Sequence, residues 1–370
     1  MRSWPSAFVR VCGAVSLCGG LAAAQDTTLV LLSGAADSPW PAIAAETGWR
    51  LVRPDLSKAP PAWTDAGLSA ILPAAERRVF LIAEHDLAAA AFYAASRTPH
   101  AWMATVAIGG SPRAAVATNR LYAANTNLTP VLWISEQADP RLERGKFNVE
   151  IRPTATGKDV VDWLNARQRE AFPPEVDCET GNPKFARCFW AEITGFDARR
   201  RNDVLDSTRI WAGSGAYLDL GGFGFQPGAP GPGVEVAWLP PRYSGPLRLG
   251  DRLVAVAGRE IHDSDDYAAF MDQQVDGKPA AVMVVRGKER KRIETHIIVT
   301  PREELTTARI RAQFLQEARE ILLITRQVSA LRVRIPEHWS GMAASWNGQD
   351  LGKLETGCWN IGDEGAGRCE

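Results

Sequence analysis

The sequence lacks a strong net charge and, after its first two dozen residues, any long apolar run. Lys and Arg total 42 and Asp and Glu total 43 in 370 residues, so the formal net charge is −1 and the pI is about 6.6. This balance excludes an overall basic field for nucleic acid or anionic lipid. No segment beyond residue 24 reaches the ~20 apolar residues of a membrane helix. We therefore expect no nucleic-acid partner and no membrane span.

The first 24 residues have the order of a secretory signal peptide. Arginines precede a short apolar stretch over 11–21, and Ala22-Ala23-Ala24 forms a small-residue cleavage site. Lipoprotein processing at Cys18 is the alternative, but the bulky Leu17 before it argues against that pathway. The mature protein is expected in the periplasm or outside the cell.

Four cysteines remain after the signal peptide, and none has the C-x-x-C spacing of a structural zinc site. They are Cys178, Cys188, Cys358 and Cys369. An even number in an oxidising compartment predicts disulfides. We expect no metal and no cofactor.

Residues 27–172 alternate short apolar strands with alanine-rich helical stretches, which predicts an α/β, doubly wound parallel sheet. The predicted strands are Thr28–Ser33, Arg50–Arg53, Arg78–Ala83, Thr105–Ile108, Pro130–Ser135 and Phe147–Arg152. Residues 213–302 are β-rich with glycine turns and one short helix capped by Ser264. Residues 303–370 again read as short strands, with Asn347-Gly348 as a hairpin turn. The chain is therefore expected to have several domains.

The 25–172 region resembles the α/β-hydrolase superfamily. Strand Val79–Ile82 leads into Ala83-Glu84-His85-Asp86-Leu87 and then an alanine-rich helix. Working members of that family carry G-x-S-x-G at this strand-to-helix turn. Here Ala83 and Leu87 replace the glycines and His85 stands at the serine position. Asp139 matches the position of the family's aspartate.

The resemblance implies a triad of which two members are missing. Only five histidines occur, at positions 85, 100, 262, 296 and 338. None lies between 101 and 261, although the family's histidine belongs near Pro153–Lys158, after the last predicted strand. Loss of the serine or the histidine alone costs a serine protease about 10⁶ in turnover. We expect no catalytic residue, with His85 and Asp139 as degenerate triad positions. Ser111 is the other hydroxyl considered, and it is interpreted as a turn or cap residue.

Residues 213–302 resemble a PDZ domain of the bacterial type. Gly222-Phe223-Gly224-Phe225 is similar to the family's G-φ-G-φ loop, and it is followed by Gly233–Val236, Ser244–Leu253 and Val256–Ile261 in the expected order. Such a loop collects a ligand's terminal carboxylate, and the adjoining strand edge pairs with the ligand chain. Gly222, Phe223, Gly224 and Phe225 are thus the predicted peptide-binding residues, with Phe270, or Ala268 and Ala269, on the helix wall. Tyr267 and Met271 are expected to face the core. Occupation of the groove by the protein's own chain stays open.

The remaining pieces, 173–210 and 303–370, resemble a small all-β module behind some secreted hydrolase domains. We expect one module split by the PDZ-like domain, here 211–302. A disulfide joining Cys178 or Cys188 to Cys358 or Cys369 is slightly favoured over the local pairs Cys178–Cys188 and Cys358–Cys369.

The predicted function is an exported, non-catalytic adaptor that binds peptide or protein C-termini. The alternative is an atypical hydrolase or peptidase built on Asp139, His85 and Ser111. A third hypothesis is that the PDZ-like domain regulates a separate protease.

Overall fold

A parallel sheet occupies the N-terminal part of the protein in a computed structural model that describes residues 27–57, 59–73, 78–213, 215–226, 228–299 and 305–370. The expected signal peptide, 1–24, lies outside the described residues. The strands of this part are β1 Thr27–Leu32, β2 Arg50–Val52, β3 Arg78–Glu84, β4 Ala104–Ile108, β5 Leu121–Tyr122, β6 Val131–Ile134 and β7 Val149–Arg152. Six of them pair in the order β2-β1-β3-β4-β6-β7, and each of these pairs is parallel. The predicted parallel sheet is confirmed.

Helices cover both faces of this sheet. They are α1 Trp40–Thr47, α2 Asp65–Ile71, α3 Ala89–Arg97, α4 Arg113–Val116, α5 Ala123–Thr126, α6 Pro140–Arg144 and α7 Gly157–Asn165. Alternate residues of β3 enter different cores: Leu81 packs with Phe92 of α3, whereas Ile82 packs with Trp40 of α1. Two buried faces explain why the strands read as continuous apolar runs.

The chain leaves the parallel sheet through β8 Glu175–Thr180, β9 Arg187–Cys188 and β10 Ala191–Phe196. It then forms β11 Arg209–Ile210, which pairs with β5. A seven-stranded antiparallel sheet follows, with strands β12 Tyr217–Leu218, β13 Gly224–Phe225, β14 Val234–Trp238, β15 Arg252–Val256, β16 Arg259–Glu260, β17 Lys278–Arg286 and β18 Glu289–Ile298. Its order is β12-β18-β17-β15-β14-β13, with β16 paired to β15. Helix α8, Ser264–Asp272, packs on it through Phe270 and Met271.

Two five-stranded sheets combine strands from both sides of the seven-stranded sheet. The last strands are β19 Ala308–Leu315, β20 Glu320–Arg326, β21 Val328–Ile335, β22 Met342–Trp346, β23 Gln349–Leu354, β24 Gly357–Gly362 and β25 Gly365–Arg368. The sheet orders are β23-β22-β20-β19-β8 and β25-β24-β21-β10-β9. One apolar cluster, which includes Trp190, Ile310 and Trp339, contains residues from both sheets.

The cysteines pair locally, as Cys178–Cys188 and Cys358–Cys369. The slight preference for a disulfide between the two halves is therefore wrong. Strand pairing already joins the halves, since β8 pairs with β19 and β10 with β21. Each disulfide instead closes a loop within one half, over sequence separations of 10 and 11 residues.

Among the described residues, the helices are all too short or too polar to cross a bilayer. Two disulfides are typical of a protein that folds outside a reducing cytosol.

Candidate functional site

The turn between β3 and α3 is sharp and closely packed. His85, directly after β3, has φ of +51°, a conformation uncommon for a residue with a side chain. A Cβ on Gly110 would lie 2.0 Å from the His85 carbonyl oxygen and 2.8 Å from the Ala88 Cβ. Gly109 and Gly110 of the neighbouring β4 connection therefore leave room for this turn, while Ala83 lies within β3 and Leu87 in the turn itself.

An open cleft of about 520 Å³ lies beside this turn. Its lining residues are Trp63, His85, Asp86, Ala89, Gly110, Ser111, Arg113, Ala114 and Ala117. The Ser111 hydroxyl accepts a hydrogen bond from the Arg113 backbone N–H at 3.1 Å. Within the described residues the His85 ring has no hydrogen-bond partner. His85 and Ser111 thus share a cleft without the hydrogen bond that would make them a base and a nucleophile.

Asp139 forms an ion pair with Arg141. Its buried carboxylate caps α6 and binds the Arg141 guanidinium through Oδ1 to Nε at 2.9 Å and Oδ2 to Nη2 at 2.6 Å. Burial opposes ionisation, but the hydrogen bonds and charge of Arg141 outweigh it and lower the pKa of Asp139. Asp139 therefore serves as the N-cap of α6 and as the ion-pair partner of Arg141.

The loop before β13 presents free backbone donors. Gly221 and Gly222 have φ of +80° and +78°, and space around the Cβ position of Gly222 is open to at least 4 Å. In the part of the chain that the structure describes, the N–H groups of Gly222 and Phe223 have no hydrogen-bond partner. Successive unpaired N–H groups in a glycine turn form a concavity that attracts a carboxylate.

A tyrosine supports this loop from behind. The Tyr243 hydroxyl donates to the Leu220 carbonyl at 2.5 Å and accepts from the Leu247 N–H at 3.3 Å. The Tyr243 ring lies 3.0 Å from the Cβ position of Gly221, so a side chain there would displace it. The loop backbone is therefore held in place while its outer side stays open.

Strand β13 lies at the edge of its sheet, and the aromatic residue of α8 that faces it is Tyr267. The Phe225 ring lies between Phe223 and Tyr267, with ring centroids 5.1 and 4.8 Å away. Burial raises the pKa of the Tyr267 hydroxyl. Phe270, expected on the groove wall, is 8% exposed and packs in the core with Met271.

The arginines of α6 act electrostatically on the end of α8. Burial raises the pKa of Asp272, and the charges of Arg141 and Arg144 on α6 oppose this rise. The Asp139–Arg141 pair thus lies within electrostatic reach of the helix that faces the loop.

Sequence reasoning missed Trp238, which is 55% exposed at the end of β14 and opposite Gly224. Val234 and Val236 are buried, so strand alternation predicts an inward Trp238. A register shift between the Gly224 and Phe225 pairs turns it outward instead. Tyr267 could have been considered for the groove wall, because it lies three residues before Phe270 on the same helix. That spacing alone does not say which of the two residues faces β13.

No protein-family model matches the chain, and no curated protein matches it either.

Proposed function

We propose that the chain is an exported binding protein that captures the C-terminal carboxylate of a peptide or protein at the 222–225 loop. The observation that carries this proposal is that the N–H groups of Gly222 and Phe223, next to an edge strand, have no hydrogen-bond partner among the residues that the structure describes. A carboxylate accepts such hydrogen bonds strongly, and an extended chain adds to such an edge. The 211–302 segment serves as a PDZ-like module inserted in a split β module.

The parallel-sheet region acts in this proposal as a non-catalytic scaffold. Its Asp139 is held by Arg141, and His85 in the turn between β3 and α3 has no hydroxyl partner among the described residues. A base that is not aligned with a nucleophile cannot activate it.

Ligand chemistry tests the binding proposal. A library of fluorescein-labelled hexapeptides, randomised at the last two positions, is titrated against the mature full-length chain by anisotropy. The same library with amidated C-termini is the control, because amidation removes the charge and keeps every side chain. Binding by the free acids and loss of binding by the amides is the expected result. Equal binding of both libraries, or none by either, overturns the proposal.

A hydrolase remains the second candidate, because His85, Asp86 and Ser111 line one cleft. A fluorophosphonate probe separates the two proposals. Labelling that disappears in the Ser111→Ala variant would establish a serine hydrolase. We expect no labelling of either chain.

A further inference from the structure

Trp238 extends the proposed ligand site across the edge strand. The Cβ position of Gly224 lies 3.2 Å from the Trp238 Cβ and 3.7 Å from its Cε3 atom. The indole therefore leans over the part of β13 where Gly224 has no side chain. Trp238 is 55% exposed, and only the edge strand β13 separates its strand from the edge of the sheet.

The hydrogen bonds of β13 decide which ligand residue lies on that face. The Gln226 N–H donates to the Glu235 carbonyl at 3.2 Å, so the polar backbone groups of Gln226 point toward β14. Strand alternation then directs those of Phe225 to the free edge. A ligand residue that pairs there has its side chain on the Phe225 and Tyr267 face.

That paired residue is the last one of the ligand, because the unpaired N–H groups that receive the carboxylate immediately precede β13. Successive side chains of a strand point to opposite faces. The penultimate side chain of the ligand therefore lies on the face of Gly224 and Trp238. The ligand strand and β14 would lie on opposite sides of β13, about 10 Å apart. The indole extends over Gly224, which has no side chain between them, so an aromatic or long penultimate side chain can reach it across β13.

The charged Glu235 near Trp238 already has an ion-pair partner within the protein. The Glu235 carboxylate pairs with the Arg252 guanidinium at 2.7 Å, and Arg252 also donates to the Pro232 carbonyl. What the face offers a ligand is the apolar surface of the indole. Aromatic pairs contribute beyond the area that they bury.

We propose that Trp238 is a specificity-determining residue that selects ligands with an aromatic or long apolar penultimate residue. The inference rests on the proposed carboxylate binding and adds a side-chain preference to it.

The test uses the same free-acid hexapeptide library with the wild-type chain, Trp238→Ala and Tyr217→Ala. Tyr217 is the matched control, because it is an exposed aromatic on β12 at the opposite edge of the same sheet. The affinity of peptides with penultimate Trp is compared with that of peptides with penultimate Ala or Asp. We expect the wild type and Tyr217→Ala to prefer Trp by roughly 3- to 10-fold. In Trp238→Ala this ratio should fall to about one, because the penultimate-Trp peptides lose the contact with the indole.

Free-acid binding with no penultimate preference, or with a preference that survives Trp238→Ala, overturns the role of Trp238 and leaves carboxylate capture intact. Failure of every free-acid peptide, by contrast, removes the proposed function itself.

Discussion

The hydroxyl of Thr307 donates to the buried carboxylate of Glu179 at 2.5 Å, across 128 residues of sequence. The same carboxylate accepts from the Ser207 hydroxyl at 2.6 Å and from the Thr208 N–H at 2.6 Å, and it pairs with Arg326. Glu179 thus ties together the segment that leads into the seven-stranded sheet and the segment that returns from it. The two segments thus lie close together at Glu179, and a segment whose two ends lie close together can be inserted into a loop with little distortion.

Glu179→Gln should lower the free energy of unfolding by about 3 kcal/mol, because the half-buried Arg326 then loses its charge partner. Urea unfolding followed by tryptophan fluorescence measures the loss. Glu175→Gln on the same strand is the control, since its pair with Arg311 is exposed and should contribute less than about 1 kcal/mol. Equal losses in both variants would contradict the structural role of Glu179.

Asp139→Asn should weaken the fold in a pH-dependent way. The folded-state pKa of Asp139 is lowered, so its stabilisation is present above the unfolded value of about 3.9 and is lost as the pH falls through the folded pKa. We expect a deficit of about 1–3 kcal/mol at neutral pH that shrinks toward pH 2. Unfolding curves at several pH values check this.

Arg141→Met should lower the free energy of unfolding by a similar amount. The losses of the two single variants should not add in the double variant, because both changes remove the same interaction. A deficit of Asp139→Asn that is constant from pH 7 to pH 2 would be inconsistent with the ion pair.

Gly110→Ala should destabilise the turn at His85 by about 2–4 kcal/mol, since its Cβ would overlap the His85 carbonyl oxygen and φ is +58°. Gly34→Ala is the control: its Cβ meets no atom within 4 Å, and its φ is not positive. That change should be neutral or slightly stabilising. Thermal unfolding of the two variants gives the comparison, and similar midpoints would exclude the close approach.

Gly222→Ala should reduce free-acid peptide affinity roughly 5- to 10-fold, because an L residue at φ of +78° shifts the loop that presents the N–H groups. Gly258→Ala is the matched control, because Gly258 has φ of +82° and an equally open Cβ position in the turn between β15 and β16. Both variants should lose about 1 kcal/mol of stability, but only Gly222→Ala should lose affinity. Anisotropy titration separates the two effects, and parallel affinity losses would place the binding site elsewhere.

The parallel sheet could be predicted from the sequence, because continuous apolar runs such as Val79–Ile82 need burial on both faces. The absence of a hydroxyl at position 85 was also evident from the sequence, since no fold can change the side chain of His85. The partner of Asp139, the disulfide pairing and the outward side of Trp238 became known only from the folded chain. The first two depend on how the backbone turns between residues 2, 10 and 11 positions apart, which residue types alone do not specify. The third depends on a register shift, which reverses the face of every later residue in a strand.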